Sequence, residues 1–195
     1  MEVTYLRLRE IKKQKLANNR DIPDALRIMD EYGEGVLLYD GVRYPAIRIR
    51  YDIFSDQLIL QKRGMTGVVV LNPYRVGYAD LHGYRFVYIP AGSYRNSITP
   101  GYYRQIYDGR HVVLQKETLS VSQLDFSNEV VSGKYYILKD GIFHNVGKQK
   151  QLFDMFPEHK TALRQYLRAR GTDFRKETAA AVVAAAEYYD SLTEW

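Results

Sequence analysis

Four histidines (His82, His111, His144 and His159) and one close pair of aspartates (Asp52 and Asp56) are the residues of this 195-residue chain best suited to chemistry. An imidazole can move a proton near neutral pH or hold a metal, and two carboxylates can share acid and base roles. The spacing argues against both uses. No histidine has a partner four residues on, as two metal ligands on one helix face would need. In RYDIFSD, Asp52 and Asp56 would share a face of an extended strand yet stand about 13 Å apart. Glycosidase carboxylates sit closer, at roughly 5–9.5 Å. A turn around Ser55, with the chain continuing as a second strand, is the simpler reading of that segment. GEG (33–35) and GMTG (64–67) lack the helix and lysine that a phosphate loop requires, and no nucleophile-elbow motif occurs. The sequence names no catalytic residue, no metal ligand and no cofactor, and it leaves the ligand-binding residues unknown. Convergence of the scattered histidines with aspartates, the basis of a hydrolase reading, depends wholly on the tertiary fold.

Composition narrows the setting. The chain has no cysteine, which excludes disulfides, thiol nucleophiles and cysteine-held metals. With 46% hydrophobic and 26% charged residues it has the make-up of a globular domain. No run approaches the roughly 18 apolar residues of a membrane-spanning helix. The net charge of +5 is concentrated in Arg7, Arg9, Lys12, Lys13, Lys15 and Arg20, and again near the C-terminus from Lys160 to Lys176. Such clusters read first as solvated helix faces, and second as a surface for nucleic acid or anionic lipid. Tyrosine is abundant, 18 residues against one tryptophan. It suits half-buried strand positions, where the ring packs and the hydroxyl reaches water.

The elements that must position any site change along the chain. Residues 1–34 read as a basic arm with some helix, and DIPDALRIMDEYG offers a capped start at Asp21 or Asp24. From 35 to 147 short β-rich runs alternate with Gly, Pro, Asn and Asp. In AIRIRYDIF, Ile47, Ile49 and Tyr51 alternate with Arg48, Arg50 and Asp52, so one face should be buried and the other polar. GVVVLN (67–72) has no polar side and reads as a central strand. Asp40-Gly41, Asp108-Gly109 and Asp140-Gly141, with His82-Gly83 as a looser fourth, carry the signature of two-residue hairpin turns. Two segments, 90–101 and 117–133, read as long irregular loops and are where a site is expected. After Gly147 the period becomes helical. Three short helices follow, the second with Leu163, Tyr166 and Leu167 on one face and Gly171 as its stop. The expected fold is α+β: an antiparallel β-sandwich, strongly curved sheet or small barrel over 35–147, with a helical cap over 148–195 in the same compact unit.

RYDIFSDQLIL (50–60), GYYRQIYDGRHVVLQKE (101–117), KYYILKDGIFHNV (134–146), QKQLFDMFPEHKTALRQYL (149–167) and AAEYYDSL (185–192) together resemble a family of exported Bacteroidetes proteins of unassigned function. The likeness spans roughly residues 40–192 and consists of turn and core residues; the basic arm departs from it. It implies a periplasmic or outer-membrane-associated protein whose signal peptide has been removed, with a cytoplasmic protein as the alternative. The function it implies is a non-catalytic envelope module that supports a protein complex or a glycan partner. Two other readings stand beside it: a nucleic-acid or anionic-surface binder using residues 7–20, and a hydrolase built from dispersed His and Asp residues.

Overall fold

The computed structural model describes residues 31–53, 55–62, 67–94, 98–121 and 129–192; the basic arm and its expected helix lie outside them up to residue 30. Ten strands follow: β1 (Gly33–Tyr39), β2 (Val42–Asp52), β3 (Gln57–Gln61), β4 (Val68–Val70), β5 (Val76–Leu81), β6 (Tyr84–Ile89), β7 (Gly101–Tyr107), β8 (Val113–Val121), β9 (Glu129–Lys139) and β10 (Ile142–Asn145). Helices α1 (Gln149–Asp154), α2 (Lys160–Ala169) and α3 (Thr178–Leu192) complete the chain. All strands join one antiparallel sheet in the order β10-β9-β8-β7-β6-β5-β1-β2-β3-β4. The α+β class is as expected. The sheet is not closed, since β4 and β10 stand at its two ends. Two meanders, β1–β4 and β5–β10, are welded by the β1–β5 pair, in which Leu37 lies opposite Ala79.

Backbone chemistry explains the hairpins. Asp40-Gly41, His82-Gly83 and Asp140-Gly141 all place both residues at positive φ, between 51° and 79°. That conformation gives a two-residue turn the twist of its flanking strands. Asp108-Gly109 does not follow. Neither residue has positive φ, and residues 108–112 form a longer connection between β7 and β8. The hairpin-turn expectation fails there because a tertiary contact, described below, sets the loop's shape.

A bend in the sheet brings distant strands together. The β2–β3 turn, where Asp56 has φ of +53°, bonds to the start of β7, four strands away in the sheet order. In a flat sheet that separation would be about 19 Å. One core cluster fills the bent half, with Ile49, Leu58, Leu81 and Phe86 almost wholly buried. A second lies under the helices, where Val113 and Ile137, paired across β8 and β9, meet Leu152, Leu163 and Val182. Helix α3 is rich in alanine, and Ala181, Ala184, Ala185 and Ala186 are all buried, which lets its backbone lie close to the sheet. A third cluster, including Leu114, Tyr103 and Phe143, occupies the opposite face. No helix among the described residues is long and apolar enough to cross a membrane, which leaves membrane-crossing strands unaddressed.

Three further expectations need correction. The run VVV is not a central strand: among the described residues β4 pairs only with β3 and forms the sheet's edge, its valines 48–57% exposed. On the polar side of β2, as expected not apolar, Arg50 and Asp52 are nonetheless buried and form an ion pair at 3.6 Å. The segment 117–133 is not an irregular loop, since residues 117–121 and 129–133 pair as the end of the β8–β9 hairpin. Strand β1 also starts at Gly33, inside the span expected to be arm.

Candidate functional site

The loop at 108–112 carries Arg110 and His111 to the end of α3. There Asp190, in the helix's last turn, gathers three donors among the described residues. His111 Nδ1 lies 2.5 Å from Asp190 Oδ1, the His111 main-chain N–H reaches the same oxygen at 3.2 Å, and the Tyr107 hydroxyl donates to Oδ2 at 2.8 Å. A carboxylate only accepts, so Nδ1 carries a proton, and in the neutral ring Nε2 is then the acceptor. Among the described residues Nε2 has no hydrogen bond. Burial opposes ionisation of Asp190, but the bonds from His111 and Tyr107 outweigh it and hold the carboxyl below its usual 3.8.

This arrangement accounts for Gly109. A Cβ there would collide with Asp190 Oδ2 and stand 2.5 Å from the Tyr107 hydroxyl. At Gly41, by contrast, a Cβ meets nothing and the cost is only that of φ at +76°. Gly109→Ala is therefore expected to lose about 1–3 kcal/mol by overpacking, with Gly41→Ala nearer 1 kcal/mol. Urea unfolding measures both. Only Gly109→Ala should also broaden or shift the downfield Nδ1 proton of His111.

His111 lines a cavity of about 410 Å³ between the 108–112 loop, the Asp140-Gly141 turn and α3. Its floor is aromatic: Phe156 and Tyr189 stack with centroids 3.3 Å apart, and both are buried. Its rim is charged, with Arg110, Lys139, Asp140 and Glu158. Lys139 is anchored, donating to the Met155 carbonyl at 2.7 Å. His159, on the turn Pro157–His159, comes to the same place, since its ring lies 5.7 Å from Tyr189 and that of His111 lies 6.3 Å from it. Two of the four histidines thus converge. His144 lines a separate groove of about 520 Å³ beside α1. The His82 ring packs over Gly33 and its Nε2 is 3.3 Å from the Glu31 carbonyl. No group of three metal-ligating side chains occurs among the described residues.

The aspartate pair has a different fate. The chain does turn at Ser55, whose N–H is held by the Asp52 carboxylate at 3.2 Å. Asp56 then acts as a clasp. It accepts from the Tyr51 hydroxyl at 2.6 Å, from the Tyr102 N–H at 3.2 Å and from Lys116 Nζ at 2.7 Å. Lys116 also donates to the Tyr102 carbonyl at 2.8 Å. The β7–β8 ladder pairs Arg104 with Gln115 and goes no further toward the β7 start. Two side chains therefore satisfy both main-chain groups of Tyr102 where a ladder partner is missing. Burial pulls Lys116 below its usual 10.5, partly offset by Asp56, and burial together with Asp56 raises Tyr51. This cluster ties the β2–β3 turn to β7 and β8.

The described residues of the two segments expected to carry a site lie outside the lining of the His111 cavity. In 90–101, Tyr94 packs on Phe143 at 4.5 Å, Ile98 is buried, and the Thr99 carbonyl accepts from the Tyr103 hydroxyl at 2.6 Å. In 117–133 the described backbone is ladder. The site that reasoning on sequence missed is the 108–112 loop with Asp190. The basic residues 7–20 lie outside the described residues.

Fold and site define an α+β protein of one open, bent antiparallel sheet with a ligand-sized cleft at its helical end. No protein family, curated protein or solved structure was found to match this chain. The resemblance to exported envelope proteins therefore rests on its motifs alone.

Proposed function

We propose that the chain is a non-catalytic, envelope-associated binding module, and that part of a protein or glycan partner enters the His111 cavity. The observation that carries this reading is the preorganised wall. His111 is fixed by side-chain and main-chain bonds before any ligand arrives, so binding loses little entropy there. The lining offers charged and hydrogen-bonding groups of both signs, and no serine or threonine stands on it among the described residues. Placement in the envelope follows from the motif resemblance. The bent half, held by the Asp56 clasp like part of a small barrel, acts as a rigid frame. Immobilised wild-type chain should recover an envelope protein or glycan from native membranes, and His111→Ala, folded to the same degree by urea unfolding, should not. Equal recovery by both, or none by either, rejects the cavity as the binding site.

One observation favours a second reading. His111 Nε2 is unbonded while Asp190 holds Nδ1 at 2.5 Å, the geometry by which a ring takes a proton from water. The chain would then be a hydrolase using water as nucleophile. A panel of ester, glycoside and phosphodiester substrates, turned over by wild type and not by His111→Gln, would support it. Identical rates for the two proteins would dismiss it.

A further inference from the structure

The His111 cavity and the groove beside α1 share a wall. Lys139 and Asp140 line both, and the consecutive residues Met155 and Phe156 line one each. The Lys139 ammonium stands at that junction: it donates to the Met155 carbonyl at 2.7 Å and lies 4.9 Å from the centre of the Phe156 ring. An ammonium has three donors. Among the described residues this one meets no carboxylate, although Asp140 is its neighbour in the chain. Neither space offers an open aromatic face to a sugar. Sugar C–H groups seek the negative face of an aromatic ring, yet Phe156 and Tyr189 are stacked on each other and only 1% and 4% exposed. The groove has no Phe, Tyr or Trp on its lining among the described residues. It presents Ile142, His144 and Asn145 from β10 and Gln151 from α1 instead. Gln151 Oε1 accepts from the Gly147 and Lys148 N–H groups, both at 2.9 Å, so its amide NH2 is what remains for a ligand.

We infer that the cavity and the groove form one two-part site for an extended peptide of a partner protein, with a carboxylate side chain of that peptide on Lys139 where the two parts meet. The inference rests on the reading that a partner enters the His111 cavity, and it narrows that partner to protein. Volumes of about 410 and 520 Å³ each lie in the range of a ligand pocket. An extended chain, rising roughly 3.3 Å per residue, can lie across the shared wall. The side-chain amides of Asn145 and Gln151 carry the donor and acceptor types of a peptide bond and pair with main-chain amides, and Ile142 adds an apolar contact. The charges limit the peptide's sequence further. Asp140 and Glu158, lining the cavity, make no ion pair among the described residues. Asp154, in the groove, is engaged by Lys160 at 3.2 Å. A run of acids would be repelled there, so the peptide carries a single acidic residue among neutral or basic ones.

A random heptapeptide display library selected on the immobilised chain supplies the probe. Selected peptides should share one acidic residue. Replacing that acid by its amide in the synthetic peptide should weaken binding about 10–100-fold, the loss of one charge-assisted hydrogen bond. Lys139→Gln, which keeps a donor for the Met155 carbonyl, should lose as much towards the acidic peptide and nothing further towards the amide one. The histidines report the occupancy of each part. On titration with the selected peptide, the ring Hε1 signals of His111 and His144 should move together with one midpoint, while that of His82, packed over Gly33, stays. Movement of His111 alone would overturn the two-part site and leave the cavity reading intact; movement of His144 alone would remove both. Equal binding of the acidic and amide peptides to wild type would also overturn the inference. So would a library that yields no binder, and a shift of His111 with chitohexaose would then make a glycan the partner.

Discussion

Asp56→Ala is expected to lower the unfolding free energy by about 3 kcal/mol. Removing one partner of a buried, hydrogen-bonded ion pair typically costs about 3–5 kcal/mol because the other charge is stranded. The lower end applies because the Asp56 side chain is 30% exposed and water can partly replace it, whereas Lys116 is 13% exposed. Three groups lose their acceptor together: the Lys116 ammonium, the Tyr102 N–H and the Tyr51 hydroxyl. Backbone strain must be separated from this loss, since Asp56 sits at φ +53°. Asp56→Gly suits that conformation and still removes the carboxylate, so it should lose nearly as much as alanine. The sign of the pH response follows from Lys116. Its folded value already lies below 10.5 through burial, and without Asp56 it falls further. The unfolded chain then binds more protons between the two values, so stability of Asp56→Ala should rise with pH across that window. Lys116→Met in the Asp56→Ala background should recover part of the loss, with a coupling of about 1–3 kcal/mol in the double-mutant cycle. If Asp56→Gly unfolds at the wild-type urea midpoint, the clasp contributes nothing.

What the sequence disclosed, and what it hid, divides by range. Asp40-Gly41 and Asp140-Gly141 are legible because a two-residue turn depends on φ at those two residues alone. Leu163 and Leu167 are legible for the same reason: one helix period puts them on one buried face. Asp108-Gly109 has the identical dipeptide and a different outcome, since the shape of its loop is set by Asp190, about eighty positions later. Two signals for it were present. Arg110 and His111, both polar, follow the glycine before any strand residue, whereas Val42 and Ile142 follow theirs directly. Asp190 also stands in the last turn of α3, where a negative charge opposes the helix dipole and must be repaid by some tertiary partner. The valines of β4 misled for a related reason: an all-apolar run signals burial only if the rest of the chain covers it, and these stand at the sheet's edge, about half exposed.

Asp190→Ala should both destabilise the helical end and abolish ligand capture. The carboxylate binds two side chains and one main-chain N–H, and its own side chain is 13% exposed. Truncation strands the Tyr107 hydroxyl and the His111 donors in a poorly hydrated place, at about 2–4 kcal/mol by urea unfolding. Asp190→Asn separates charge from shape, because an amide oxygen can still accept one of the three bonds. Its comparison with wild type across pH has a definite sign. The folded carboxyl lies below its usual 3.8, so its contribution is complete above that value and is lost as pH falls through the folded one. The excess stability of wild type over Asp190→Asn should shrink as pH falls below about 4. A difference that stays constant into acid would mean that no ionised carboxylate holds His111. Capture then tests the functional step separately. If Asp190→Asn folds well and still binds as wild type does, the fixed orientation of His111 is irrelevant to the ligand. If binding falls while stability holds, the histidine is positioned for its partner and not merely packed.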